Sequence, residues 1–249
     1  MIRFLAIQHT FAEFFGALEP QFEARGIGFT YLRPVTGQDV AATAGQFDCL
    51  WLLGGAYPAT DREHCPWLDD ELRLVSAFVR SKRPVVGLGF GGHVVALAHG
   101  GTPRDVPAHD AYWTDAHATA AGRDDPLARA IDGRRVLVMA NGSVSLPDAV
   151  APILVDDAGR WLAIRPAPLA YGTLFRPELK PGMIEDMVME EERPVPENIG
   201  ALLDEARTRW EEMQETTARV VAALVEALDL MHERRKHPVF GLRPMKDAE

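Results

Sequence analysis

Cysteine is nearly absent. The 249 residues contain two, Cys49 and Cys65. They form no C-x-x-C pair and no zinc-type spacing, which excludes a disulfide framework and a thiolate zinc site. No apolar run approaches the length of a membrane span. The opening stretch 1–10 turns polar too early for a signal peptide, so a cytoplasmic protein is expected. Positive charge is not in excess: 26 Lys and Arg face 36 Asp and Glu, giving a formal net charge of -10. That balance argues against nucleic acid or an anionic membrane as a generic partner. There is no internal repeat and no low-complexity segment. The eight histidines form no H-x-x-x-H or H-x-H pair of the kind that holds a metal on one element.

What remains is an ordinary globular composition, 47% hydrophobic and 25% charged, enough for one α/β domain with a sizeable core. Near-continuous apolar runs at 2–8, 29–32, 48–53 and 84–88 read as buried strands. Apolar residues at helical spacing predict helices over 11–25, with Gly26 as C-cap, and over 67–80, with acidic residues in the first turns. A third helix opens at His93. Strand and helix in alternation imply a mainly parallel open sheet with helices on both faces, a flavodoxin-like α/β architecture. From 100 to 177 the pattern changes to short β segments at 116–119, 136–139, 153–156, 162–165 and 169–175. Asp157-Ala158-Gly159 reads as a hairpin turn, and the region as a β-rich insertion. After Pro181 the chain is helical again. An acidic connector at 190–196 leads to one long helix over 198–235, whose apolar positions step by three and four. That helix packs either on its own domain or as a homodimer seam. Residues 237–249 read as a tail. The division expected is a domain over 1–190, a helical extension over 191–236 and the tail.

Three segments carry a family resemblance. The first is Leu50-Trp51-Leu52-Leu53-Gly54-Gly55-Ala56, followed by Asp61 and Pro66-Trp67-Leu68. The second is Gly87-Leu88-Gly89-Phe90-Gly91-Gly92-His93 after the strand at 84–88. The third is Tyr171-Gly172-Thr173-Leu174-Phe175-Arg176-Pro177-Glu178. In this order they resemble class I glutamine amidotransferases, and weaker likenesses at 121–127 and 145–147 extend the resemblance over roughly residues 1–235. It implies that Gly54 and Gly55 stand where the family places oxyanion-hole N–H groups, and that Gly89 stands on the nucleophile elbow. Arg176 and Glu178 stand at the ends of the family's base and orienting carboxylate.

Two of these positions depart from the family. The resemblance puts a cysteine at the elbow, and glycine offers no nucleophile. It puts a histidine at the base position, and arginine stays protonated and cannot accept a proton. Of the three, only Glu178 remains, and His93 stands where a glutamine is usual. The expectation is a pseudoenzyme without cysteine-dependent glutaminase activity. Its crevice is expected to bind or transform a small, anionic ligand through Gly54, Gly55, Gly89, Phe90, Gly91, His93 and Arg176. On the competing reading, the glycines serve only tight strand–helix packing. Cys65, on a loop past Gly54-Gly55, is a candidate substitute nucleophile, and Cys49 reads as core.

Two other function classes stay open. One is a metal- or haem-dependent enzyme, with His9, His64 and His93 converging at the carboxyl ends of the strands. The other is a non-catalytic partner subunit docking through the C-terminal helix. No cofactor is assigned. Gly87-x-Gly89-x-Gly91 lacks the context of a dinucleotide fingerprint, and Ser143 and Ser145 have no neighbouring base. Asp124-Asp125 reads as a solvated turn.

Overall fold

The near-continuous apolar runs do pair as a parallel array. In the computed structural model, which describes residues 1–40, 44–190, 195–234 and 236 apart from the side chains of 44 and 105–110, four strands form its first half. They are β1 (Arg3–Ile7), β2 (Gly28–Leu32), β3 (Cys49–Leu52) and β4 (Val85–Leu88), side by side in the order β2-β1-β3-β4. β10 (Ala170–Thr173) joins parallel to β4. The sheet then continues antiparallel through β9 (Trp161–Ala167), β8 (Pro152–Val155) and β6 (His117–Ala118). So most of the expected β-rich insertion is an extension of the main sheet. β5 (Thr102–Asp115) and β7 (Arg135–Ser145) form a separate antiparallel ribbon.

Period-two alternation sorts the strand residues onto two faces. Phe4, Cys49, Trp51, Val86 and Tyr171 meet α1 (Glu19–Glu23), α4 (Pro126–Ile131) and α7 (Trp210–Leu228). Leu5, Ile7, Leu50, Leu52 and Val85 meet α2 (Leu68–Arg80) and α3 (Phe90–Ala98). On the first face Phe4, Phe15, Phe22 and Trp51 pack ring against ring, with centroids 5.0 Å apart for Phe15–Phe22 and 5.3 Å for Phe22–Trp51. Such pairs add roughly 0.5–1.5 kcal/mol each beyond area burial. On the second face α3 lies hard against the sheet. A Cβ on Gly91 would sit 2.0 Å from the Leu52 carbonyl oxygen, and one on Gly92 2.3 Å from that of Thr173. These glycines are required by packing, as the competing reading of the sequence held.

Four expectations change. The helix predicted over 11–25 is α-helical only at Glu19–Glu23. Gly16 adopts a φ of +50°, and the Ala17 N–H donates to the Glu178 carbonyl, so the chain is tied across the sheet ends instead of winding as a helix. The single helix over 198–235 is two, α6 (Ile199–Thr208) and α7, parted at Arg209. The apolar stripe of α7 (Val220, Val221, Leu224, Leu228) packs on its own domain, the first of the two readings of that helix. α6 packs instead with α5 (Pro181–Met189) and with Leu137 and Met139 of β7. The tail from 237 and most of the connector lie outside the described residues.

Asp125 is the fourth. Asp124 is exposed as expected, but Asp125 is buried. One of its oxygens caps α4 by accepting the Leu127 and Ala128 N–H groups at 2.9 and 3.1 Å. The other accepts the Tyr171 hydroxyl at 2.6 Å and Arg165 Nη1 at 3.1 Å. Asp125→Ala therefore removes a cap, worth about 1 kcal/mol, and orphans a buried hydroxyl, worth about 1–3 kcal/mol more. A loss of about 2–4 kcal/mol in urea unfolding is expected; a loss well under 1 kcal/mol would show that this junction does not hold α4 to the sheet.

Candidate functional site

The turn from β4 into α3 carries the sharpest backbone in the molecule's centre. Gly89 sits there at φ +55°, ψ -114°, a conformation that side-chain-bearing residues rarely adopt. Its N–H donates to the Thr173 carbonyl at 2.8 Å. This is the strand–turn–helix geometry of a nucleophile elbow, with no side chain on it.

The space over that turn is occupied. A Cβ on Gly89 would meet Arg176 Cδ, Arg176 Nη1 and the Met139 carbonyl oxygen, all at 3.0 Å. Arg176 is buried, and its guanidinium is held on three sides. Nε donates to Glu178 Oε1 at 2.5 Å, Nη2 to Glu13 Oε1 at 2.8 Å, and Nη1 to the Met139 carbonyl at 3.0 Å. Glu13 and Glu178 are themselves buried, and Glu13 Oε2 accepts from the Thr10 hydroxyl at 3.0 Å. Burial opposes the charge on Arg176, and the two carboxylates outweigh it and hold its pKa above the ordinary value. Burial pushes Glu178 up, with Arg176 opposing. Gly54 completes the cluster, since a Cβ there would lie 2.1 Å from Glu13 Oε1 and 2.2 Å from Arg176 Nη2.

Gly54, Gly89, Arg176 and Glu178 are thus brought together, but as a sealed ion cluster. The open space lies beside it. A cavity of about 580 Å³ is bounded by His9, Thr10 and Phe11 after β1, by Gly55, Ala56 and Tyr57 after β3, and by Phe90. In the order β2-β1-β3 this is the point where the chain reverses its direction of travel through the sheet, the usual place for a ligand in an open α/β fold. His9 forms part of its wall. Nδ1 faces the Leu53 and Gly54 carbonyls at 3.1 and 2.9 Å, so it carries a hydrogen, and Nε2 shares a second proton with buried Glu71 at 2.8 Å. Burial disfavours the imidazolium, and the Glu71 carboxylate more than offsets it, raising the His9 pKa. With both nitrogens engaged, His9 offers neither a base nor a metal ligand to the cavity.

The other expected residues fall on two cavities and in the core. His64 lines the same cavity, with Nδ1 against Asp61 Oδ2 at 2.8 Å. His93 lies elsewhere, on a cavity of about 440 Å³ shared with Arg104, Arg160 and Trp161. Burial pushes its pKa down to about 4, so it is neutral. The three histidines do not converge, and among the described residues no group of three His, Cys, Asp or Glu could hold a metal. Cys65 lines the first cavity, but burial, with Glu71 and Asp61 nearby, pushes its thiol up to about 12. Cys49 is core within β3.

Sequence reasoning missed Glu13 and Glu71. Glu13 lies in Phe11-Ala12-Glu13-Phe14-Phe15, where a lone carboxylate among aromatics was itself the signal of a buried, paired charge. Glu71 reads equally well as a dipole-favouring residue in the first turn of α2, and nothing in the sequence separates the two roles. Truncating Arg176 tests the cluster. Arg176→Met leaves two buried carboxylates without a cation and is expected to cost on the order of 3–5 kcal/mol at pH 7. Without the arginine these carboxyls bind protons more readily folded than unfolded, so stability rises as pH falls. The deficit against wild type, read by urea unfolding, should therefore shrink from pH 7 to pH 5; an unchanged or larger deficit at pH 5 would remove the cluster from this account.

No protein-family model matches the chain. Over 124 residues it is 30% identical to the glutamine amidotransferase-like protein YfeJ of Salmonella typhimurium, an alignment that spans 49% of this chain and 52% of that protein. The match thus covers about half the length of this curated relative. A glutamine amidotransferase from Methylobacillus flagellatus shares the fold, with a TM-score of 0.80 at 20% identity over 95% of this chain and 98% of that one. One from Thermotoga maritima does so at 0.74 and 20% identity, over 90% and 98%. The chain thus has the fold of glutamine amidotransferases and, over about half its length, is similar in sequence to a glutamine amidotransferase-like protein.

Proposed function

We propose that this protein has no cysteine-dependent glutaminase activity and that it uses the crevice beside the vacant elbow to hold a small ligand. The observation that carries the reading is the pairing of Gly89 with Arg176. Attack on a carboxamide needs a thiolate on the elbow and a base beside it. Glycine supplies no nucleophile, and a guanidinium bound to two carboxylates cannot take a proton. Cys65 does not substitute, because a thiol whose pKa is pushed up to about 12 is protonated at neutral pH.

The geometry also revises the expected ligand. An anion was expected at the glycine turn with Arg176 as its partner. Arg176 already serves Glu13, Glu178 and a carbonyl, and among the described residues no Lys or Arg lines the adjoining cavity. The crevice suits a neutral or cationic guest better. A partner-subunit reading through the C-terminal helix finds no support in α7, whose apolar stripe is covered by the sheet.

Purified protein incubated with glutamine is expected to release no ammonia above the blank in a glutamate-dehydrogenase-coupled assay, and Cys65→Ala should behave identically. Ammonia release that disappears in Cys65→Ala would overturn the proposal and install Cys65 as a nucleophile.

A further inference from the structure

We infer that the cavity at the carboxyl ends of β1 and β3 is a binding site for an organic ammonium ion on an apolar body, an aromatic or alkyl amine. This deepens the reading that the crevice holds a small ligand and rests on it. The argument is one of size, surface and sign. At about 580 Å³ the cavity is within the range of small-molecule sites. Phe11, Tyr57, Trp67 and Phe90 all line it. The Tyr57 and His64 rings stack at 4.2 Å and 14°, a flat wall, and His9 meets Phe90 edge-on at 4.8 Å. Phe11 is 67% exposed although it faces this space, so its ring lacks a cover that an apolar body would provide.

The sign follows from the charges. Among the described lining residues the formally charged side chains are Glu63 and Glu190, both acidic; Glu190 is engaged with the Ala12 N–H at 2.8 Å, so the sign rests on exposed Glu63. Aromatic faces present the negative side of their quadrupole and attract cations. The His9–Glu71 pair shares its proton internally and adds no net positive charge to the wall. The whole chain, at -10, favours the approach of a cation and opposes that of an anion. Among the described lining residues, a carboxylate or phosphate entering here would meet Glu63 and aromatic rings, and no guanidinium or ammonium.

The test uses two probes with one body and opposite charge, 2-phenylethylammonium and 3-phenylpropionate, titrated into the intact protein by calorimetry. The ammonium should saturate a single site and bind at least about tenfold more tightly than the carboxylate, as cation–π and carboxylate contacts together predict. Tyr57→Ala and Glu63→Gln should each weaken it by about fivefold or more, with circular dichroism showing that both variants stay folded. Equal or tighter binding of the carboxylate would overturn the ligand class. So would a failure of the ammonium to saturate at about 10 mM, above the range of even a weak specific site, or binding unchanged in both variants. The ammonia assay reads separately: ammonia release sinks the loss of glutaminase activity, whereas a failed titration with a silent ammonia assay sinks only the amine site.

Discussion

Three charged side chains with almost no exposure meet beneath the carboxyl ends of the central strands, and much of the architecture around them follows from the need to keep them paired. A lone guanidinium or carboxylate at such a depth would cost several kcal/mol. Arg176 is satisfied because the loop after β1 delivers Glu13, β7 delivers the Met139 carbonyl, and its own turn delivers Glu178. Its backbone is pinned as well, since the Arg176 N–H donates to the Leu137 carbonyl at 2.9 Å. One side chain thus ties the β5–β7 ribbon, the first loop and the last parallel strand together. Gly54 and Gly89 belong to the same arrangement, because a side chain at Gly54 would overlap the guanidinium and one at Gly89 would press on it at 3.0 Å.

The cluster also sets the character of the neighbouring space. With the Arg176 charge neutralised inside the cluster, the described lining of the crevice carries four aromatic residues, Phe11, Tyr57, Trp67 and Phe90, and the carboxyls of Glu63 and Glu190. The His9–Glu71 pair repeats the theme nearby: a titratable group that could have served chemistry has its hydrogen-bonding capacity consumed by the scaffold. Arg176 and His9 are both committed to holding loops in position.

The sequence disclosed the parts that depend on local pattern. Unbroken apolar runs marked β1, β3 and β4, since strands buried on both faces need such runs. Gly89 and its neighbours marked a sharp strand-to-helix turn. Legibility failed where a long-range contact overrides local spacing. Phe11 to Leu18 has helical periodicity, yet the positive φ of Gly16 and the bond from Ala17 to the Glu178 carbonyl draw it into a loop. β5 carries Pro103 and a charged first half, which read as loop but are tolerated in an isolated ribbon. The break at Arg209 leaves no trace in an apolar pattern that runs through it. At the site, Arg176 was legible as a departure from the family. That its charge was already neutralised was not, because Glu13 comes from 163 residues away.

The left-handed backbone at Gly89 has a consequence for the history open to this protein. The turn keeps its shape with no side chain to serve, so the bend is a property of how β4 enters α3 and costs nothing further to retain. Introducing a thiol there, however, is not a one-step change. The new Cβ would press on Arg176 and the Met139 carbonyl at 3.0 Å while the arginine is present, and losing the arginine first strands two carboxylates in the interior. Either order of change has a structural cost. The glycine and the arginine are therefore epistatically coupled: a side chain at the elbow and the guanidinium opposite compete for the same space, so a change at either position alters what the other tolerates.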